Sequence, residues 1–196
     1  MALKDASQHL RKKLPDILLE SFFIVAALLG ALAIDQYRDR QKDHQGAAQA
    51  EKAIREELLK NKVALENRLE AHRQLLADIE TSLQNAEQNP DQEANFNFDY
   101  PMVLLSTASW DSARMTQYLQ YVPMQRVSGY AQLYRFQDLY MTNQDRLIEK
   151  IMEVGELDEA KLPQFARGFK HRLQILIEMN QNFTQAFDSA LPQPMP

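Results

Sequence analysis

The sequence LPDILLESFFIVAALLGALAIDQY, residues 14–37, is the only long apolar run in an otherwise polar chain of 196 residues. Its uncharged part, residues 21–34, would extend about 21 Å as an α-helix at about 1.5 Å per residue. A bilayer core of about 30 Å needs about 20 residues, and the run reaches that length when it is extended from Ile17 to Tyr37, which includes Glu20 and Asp35. The run therefore predicts one transmembrane helix over residues 14–37.

Two other interpretations of this run stay open. A secretory signal peptide has a basic start, an apolar core and small residues before its cleavage site, as in Ala31-Leu32-Ala33 here, but Asp16 and Glu20 interrupt the entry to the core. A buried core helix of a soluble protein is also apolar. The length of the run and its charged flanks favour a membrane anchor in contact with bilayer lipid.

Lysine and arginine residues are slightly more frequent before the apolar run than directly after it. Residues 1–13 carry four of them, and residues 35–44 carry three. Cytoplasmic flanks of membrane helices are enriched in these residues. We therefore expect a cytoplasmic basic tail over residues 1–13 and a periplasmic domain over residues 38–196, anchored in the inner membrane of a bacterium.

The composition restricts the class of protein and its chemistry. Helix-forming residues dominate and no alternating strand pattern persists, which indicates an all-α fold. The chain has no cysteine, and none of its five glycines forms a phosphate-binding loop, so we expect no disulfide, no thiolate metal site and no cofactor. The net charge is −5 without a basic stripe, which argues against a nucleic-acid partner.

Apolar residues at three- and four-residue steps predict the helices that follow the anchor. The longest stripe covers residues 54–83, and the helix that carries it ends at Asn89-Pro90. An irregular segment over residues 91–101 follows, and then a short helix from Ser106 or Thr107 to Tyr121. Pro123 suits the first turn of the next helix, which should stop at a left-handed cap at Gly155, and the last helix should start between Asp158 and Pro163.

The predicted fold is an N-terminal transmembrane helix followed by an antiparallel helical bundle of about three long helices and one short helix. Within it, Asn61 and His72 lie on the longest apolar stripe, where a polar side chain fixes helix register more often than it binds a ligand. Trp110, Tyr130 and Tyr134 favour core or interface packing, with a ligand pocket as the alternative. These five residues are the candidate interface or pocket residues.

The sequence contains no motif for catalysis or metal binding. None of the four histidines lies at HxxxH, ExxH or HExxH spacing, which are the helical signatures of metal sites. Serine, histidine and acidic residues are scattered without a recognisable catalytic order. We therefore expect a protein that is not an enzyme, with no catalytic residue and no metal ligand.

Glu20 lies within the predicted membrane span. An acidic residue inside a span is costly and is by default a candidate functional residue. Single-span proteins of proton-driven motors use such an acid ahead of a periplasmic domain. Because Glu20 lies near the edge of the span and close to Lys12 and Lys13, it also fits an interfacial acid or an acid that pairs with a partner span.

Three short blocks of the chain resemble a family of uncharacterised bacterial membrane proteins. Members have a single N-terminal span with a nearby acid and an Asn/Asp-x-Trp exit, where this chain has Tyr37. The resemblance implies a membrane-anchored helical domain and carries no known activity. The blocks are Leu18-Leu19-Glu20 with Leu32-Ala33-Ile34-Asp35-Gln36-Tyr37-Arg38-Asp39-Arg40, then Ala53-Ile54-x-x-Glu57-Leu58-x-x-Asn61, and Ala108-Ser109-Trp110-Asp111-Ser112-Ala113.

These features predict a membrane-anchored, non-enzymatic accessory or scaffold subunit that self-associates or docks onto other subunits of a membrane protein complex. The long helix that carries a packing seam and continues from the anchor motivates this hypothesis. One alternative is a periplasmic helical bundle that binds a small apolar ligand near Trp110, Tyr130 and Tyr134. Another alternative is a proton-coupled, stator-like subunit that uses Glu20.

Overall fold

A computed structural model of the chain describes residues 2–89 and 95–190 and, within these ranges, all side chains except those of residues 2–18, 156 and 190. The described residues form four α-helices and no β-strand, so the predicted all-α class is confirmed. Part of the predicted irregular segment, residues 91–94, lies outside the described residues. The helices are α1 (Ala2–Gln88), α2 (Ala108–Met115), α3 (Met124–Met152) and α4 (Leu162–Ala190).

Helix α1 contains the apolar run and continues without interruption through Gly46 to Gln88. It begins at Ala2, so the residues predicted as a basic tail are also helical. The side chains of residues 19–40 are exposed throughout; Phe22 is 66 % exposed and Val25 is 53 % exposed. By length and composition this helix could cross a membrane.

The chain divides into two compact units, Met1–Gly46 and Ala47–Pro196. The first unit contains the apolar run, and its described side chains are almost all exposed. The second unit contains the hydrophobic core. This unit lies within residues 38–196, the range of the predicted periplasmic domain.

The core of the second unit is built from the apolar faces of α1, α3 and α4. Each fully buried large apolar side chain contributes about 1.5–3 kcal/mol relative to the exposed state. The stripe of α1 is buried as its spacing predicted, and the aromatic stripe of α4 packs against it. The most completely buried members are Ile54, Leu58, Leu65 and Ile79 of α1, Leu133, Tyr140 and Leu147 of α3, and Phe169, Leu173, Leu176, Phe183 and Phe187 of α4.

Polar contacts between the long helices follow a regular order. In the contacts of α1 with α4, the residue number in α4 falls as the residue number in α1 rises. The pairs are Leu65 with Asn180, Glu80 with Lys170, and Glu87 with Arg167. In the contacts of α1 with α3, the residue numbers rise together along both helices. These contacts are Glu51 with Arg126, Glu57 with Tyr134, and Asn61 with Gln137. The start of α3 therefore lies beside the beginning of the α1 stripe, and residues 101–106 run back along α1 from His72 to Asn61.

Several helix boundaries differ from the predicted ones. The short helix α2 ends at Met115, and residues Gln117–Tyr121 tighten into a separate 3₁₀ helix. Pro123 directly precedes α3 and does not lie in its first turn. Helix α3 ends at Met152, and no glycine within the described ranges has a positive φ, so the predicted left-handed cap at Gly155 was wrong. A 3₁₀ turn over Val154–Glu156 continues the chain there instead.

We expect Leu173→Ala to lower the free energy of unfolding by about 2–5 kcal/mol, because Leu173 is fully buried in the core. Leu59→Ala is the matched control, since Leu59 is 52 % exposed and exposed substitutions usually stay within about 0.5 kcal/mol. Chemical denaturation of the full chain in mild detergent, followed by circular dichroism, measures both effects. Equal losses in the two variants would contradict this location of the core.

Candidate functional site

The polar interior of the second unit is organised around residues 95–107, called here the crossing segment. These residues form no helix and no strand, and they precede α2. Buried backbone N–H and C=O groups need hydrogen-bond partners, and outside helices and sheets side chains or ordered water supply many of them. Side chains of α1 and α3 supply the partners at three residues of the crossing segment, Pro101, Val103 and Ser106.

Gln144 of α3 binds the backbone of Val103 through both ends of its side-chain amide. Its Nε2 donates to the Val103 carbonyl at 2.9 Å, and its Oε1 accepts from the Val103 N–H at 2.8 Å. The same Oε1 accepts from the Tyr100 hydroxyl at 3.1 Å. Gln144 is completely buried, so its amide takes the place of the neighbouring strand that an extended backbone pairs with in a sheet.

Asn61 of α1 makes the same kind of contact with Ser106. Its Oδ1 accepts from the Ser106 N–H at 3.0 Å, and its Nδ2 donates to the Ser106 carbonyl at 2.8 Å. Gln137 of α3 joins them, since it accepts from Asn61 Nδ2 at 2.8 Å and donates to the Ser106 carbonyl at 3.0 Å. One buried residue of α1 thus connects α1, α3 and the crossing segment.

Glu57, one helical turn before Asn61, is a buried carboxylate with three short hydrogen bonds. Its Oε2 accepts from the Ser106 hydroxyl at 2.6 Å and from the Ser109 N–H at 2.9 Å, and its Oε1 accepts from the Tyr134 hydroxyl at 2.6 Å. Ser109 lies in the first turn of α2, where the helix dipole favours a negative charge. Glu57 therefore holds the start of α2 and the middle of α3 against α1.

The environment of Glu57 favours its ionised form. Burial alone would raise the pKa of this carboxyl, but the hydrogen bonds from Ser106, from Tyr134 and from the α2 backbone outweigh burial and lower the pKa below its ordinary value. Burial and the hydrogen bond to Glu57 raise the pKa of Tyr134, so its phenol stays protonated and remains a donor. At neutral pH the pair is a carboxylate with a phenol bound to it.

The three candidate aromatic residues are part of this packing. The rings of Trp110 and Tyr134 stack with their centroids 5.2 Å apart and 16° between their planes. The Tyr130 hydroxyl donates to Glu51 at 2.7 Å, and Glu51 also accepts from Arg126 at 2.8 Å. Because the tyrosine hydroxyls are bound within the protein, their contacts favour a packing role over a ligand pocket at this place.

His72 fixes another point of the crossing segment. Its ring stacks on Tyr100 with 4.9 Å between the centroids, and its Nε2 lies 2.8 Å from the Pro101 carbonyl oxygen. A carbonyl oxygen only accepts, so Nε2 carries the proton and Nδ1 is an acceptor. Nδ1 is buried and has no partner among the described residues. Burial lowers the pKa of His72, and the Pro101 hydrogen bond opposes this only in part.

Glu20 is not part of this polar interior. It lies in α1 within the first unit, and its side chain is exposed. In the part of the chain that the structure describes, no group of three or more His, Cys, Asp or Glu side chains is placed to hold a metal ion. Glu57, Asn61, Gln137 and Gln144 are instead bound to one another or to the crossing segment, whereas His72 Nδ1 and Asn180 Oδ1 have no partner among the described residues.

Three residues of the polar interior, Glu57, Gln137 and Gln144, were not predicted as site residues from the sequence. The glutamines carried a usable signal, because they lie seven and fourteen residues after Tyr130 on the buried face of α3. A polar residue that recurs at heptad spacing on an apolar stripe indicates a buried polar layer. Glu57 carried a weaker signal, since it lies one turn from Asn61 in a helix rich in exposed acids.

Comparisons of the chain with models of protein families, with curated proteins and with solved structures found no match. The resemblance to a family of single-span membrane proteins therefore stays a prediction. The contacts of the chain itself carry the argument for its function.

We expect Glu57→Gln to lower the free energy of unfolding by about 1–3 kcal/mol, because the amide has one acceptor oxygen where the carboxylate has two. One of the buried donors around it would then face an N–H group. Glu56→Gln is the matched control, since the Glu56 side chain is 57 % exposed and forms a surface ion pair with Lys52 at 3.9 Å. Thermal unfolding of the full chain in detergent compares them, and equal shifts would show that Glu57 has no special role.

His72 should make stability fall in mild acid. Its pKa is lowered in the folded protein, so the unfolded chain takes up a proton first, near pH 6.5. The folded state is therefore most stable, with respect to His72, above about pH 6.5, and it loses up to about 1.4 kcal/mol per pH unit below that until His72 is protonated in the folded state too.

Denaturant unfolding of the full chain at pH 7.5 and pH 5.5 measures this effect. The decrease in the free energy of unfolding from pH 7.5 to pH 5.5 should be smaller in His72→Gln than in the wild type, because glutamine keeps a donor for the Pro101 carbonyl and cannot be protonated. His171→Gln is the control, because His171 is exposed on α4. An unchanged loss in His72→Gln would disprove the assignment.

Proposed function

We propose that the chain is a single-pass membrane protein whose helical domain serves as a non-enzymatic accessory or scaffold subunit. It self-associates or docks onto a membrane protein complex. The N-terminus lies in the cytoplasm and the domain in the periplasm of a bacterium, an orientation that the distribution of lysine and arginine favours. The observation that carries the proposal is the uniform exposure of the apolar run of α1.

The exposed apolar side chains of the run in α1 need lipid or another protein to cover them. Phe22, Phe23 and Leu29 are each more than 60 % exposed, and no described residue of the chain covers them. Exposed apolar patches of this kind mark membrane or protein contacts. The uncharged part of the run is short for a bilayer, and Glu20 is costly in lipid, so contact with another protein helix along part of the span is favoured over lipid contact alone.

The second unit, in this proposal, is a bundle of α1, α3 and α4. The falling order of contacts supports an antiparallel arrangement of α1 and α4, as the sequence predicted. The rising order of contacts between α1 and α3 supports a parallel arrangement of that pair, unlike the prediction. The parallel pair is possible because residues 101–106 run back along α1 before α3 begins.

The polar interior supports a structural role for this domain. The carboxylate of Glu57 and the amides of Asn61 and Gln144 are occupied by donors and acceptors of the protein itself. Satisfied buried polar networks favour one arrangement of the surrounding elements over others. A domain fixed in this way is suited to present a constant surface to a partner subunit.

Cysteine scanning of the apolar run tests the proposal, because the chain has no cysteine of its own. Single cysteines are introduced at each residue from 22 to 34 of the full chain and labelled with a maleimide–benzophenone reagent, and photo-cross-linking, which needs no thiol on the partner, is carried out in native membranes. We expect cross-linked products whose yield repeats every three to four residues, because a helix presents one face to a helical partner. The products are sized by electrophoresis and identified by mass spectrometry.

Glu70→Cys is the control, since the Glu70 side chain is 84 % exposed in the second unit and lies outside the apolar run. A dimer of this chain would indicate self-association, and an adduct with a second protein would indicate docking. Uniformly low yields at all thirteen positions would contradict the proposal, because the span would then face lipid on every side.

A further inference from the structure

A surface cavity of about 340 Å³ lies where α3 passes into α4. None of the residues that bind the backbone of the crossing segment lines it, and the proposed scaffold function makes no use of it. Its size falls within the range of about 300–1,000 Å³ that is typical of ligand pockets. Apolar side chains line it together with three cations, Lys150, Lys161 and Arg172.

The apolar part of the cavity is formed by Leu157, Phe165 and Phe169. Phe169 is buried, while Leu157 and Phe165 are half-buried. Phe98 of the crossing segment packs edge-on against both phenylalanine rings, with centroids 5.0 Å from Phe165 and 5.2 Å from Phe169. The rings are therefore supported from behind, and the cavity has an ordered apolar wall.

The cations of the cavity are available to a ligand. Lys150 pairs with Glu153 at 2.7 Å and Lys161 pairs with Asp158 at 3.1 Å, but both are exposed pairs between neighbouring turns, and such pairs contribute little to stability. Arg172 has no ion pair or hydrogen bond with any described residue. Among the described side chains of the cavity, Lys150 and Lys161 are paired with a carboxylate and Arg172 is the cation left for a ligand to neutralise.

Gly168 leaves the cavity open. It lies on the same face of α4 as Phe165 and Arg172 and lines the cavity, and a Cβ atom added to it would meet nothing within 4 Å. Because of this open space, close packing does not explain why a glycine lies here, although glycine inside a helix costs about 1 kcal/mol relative to alanine. A larger side chain at this position would project into the cavity and fill part of it.

We propose that this cavity binds a small amphipathic anion, a short apolar chain that ends in one carboxylate. The chain lies on Leu157, Phe165 and Phe169, and the carboxylate contacts Arg172, whose guanidinium can donate two parallel hydrogen bonds to it. Lys150 and Lys161 add positive charge at the edge. The site is independent of the scaffold proposal, since its ligand contacts none of the residues on which that proposal rests.

Equilibrium dialysis of the full chain in mild detergent with radiolabelled hexanoate tests the site. We expect saturable binding of one hexanoate per chain. Gly168→Leu should abolish it by filling the cavity, and Arg172→Gln should weaken it about tenfold, the size expected for the loss of a charged hydrogen-bond donor. Acetate, which lacks the chain, and hexan-1-ol, which lacks the charge, should each compete at least about tenfold less well than hexanoate.

Two variants serve as controls. Gly129→Leu adds the same side chain at a glycine of α3 that also has open space around its Cβ position, and Arg135→Gln removes an exposed arginine of α3. Both should bind hexanoate like the wild type. Absence of saturable binding to the wild type would overturn the proposal, as would unchanged affinity in Gly168→Leu and Arg172→Gln. Competition by inorganic phosphate as strong as that by hexanoate would also overturn it, because the apolar wall would then contribute nothing.

Discussion

A non-helical backbone that passes through a helical protein has to find a hydrogen-bond partner for every buried N–H and C=O group. In this chain the partners are side chains. Gln144, Asn61 and His72 each bind a backbone group of the crossing segment, and Glu57 binds the hydroxyl of Ser106 next to them. The position of α2, the stacking of Trp110 on Tyr134 and the register of α1 against α3 all depend on these contacts.

This arrangement has an energetic asymmetry. Each hydrogen bond contributes only about 1 kcal/mol net, whereas a buried donor or acceptor that loses its partner costs about 1–3 kcal/mol. The polar residues of α1 and α3 thus do more to exclude other arrangements than to stabilise the native one. A shift of α1 by one turn would bury Glu57 and Asn61 without partners, while the apolar stripe alone would tolerate such a shift more easily.

The helices could be predicted from the sequence because their signals are local. Ile54, Leu58 and Leu65 reveal the buried face of α1 by spacing alone. The contacts of the crossing segment could not be predicted, since Asn61 with Ser106 and Glu57 with Tyr134 are separated by 45 and 77 residues and depend on how the chain returns. The left-handed cap predicted at Gly155 was wrong because α3 ends three residues earlier and continues as a 3₁₀ turn. Likewise, the cavity at the start of α4 combines Lys150 with Arg172, which only the turn between the two helices brings together.

The long separations between partners also constrain the order of events during translation. Domains begin to fold while the chain is still being made, starting from the N-terminus. Helix α1 leaves the ribosome first, but Glu57 and Asn61 acquire their α3 partners only once residues 134–137 have followed. Until then these side chains are better placed in water than in an apolar core, which opposes premature collapse of the α1 stripe onto the wrong neighbour. The polar residues of α1 therefore become buried only after α3 has been synthesised.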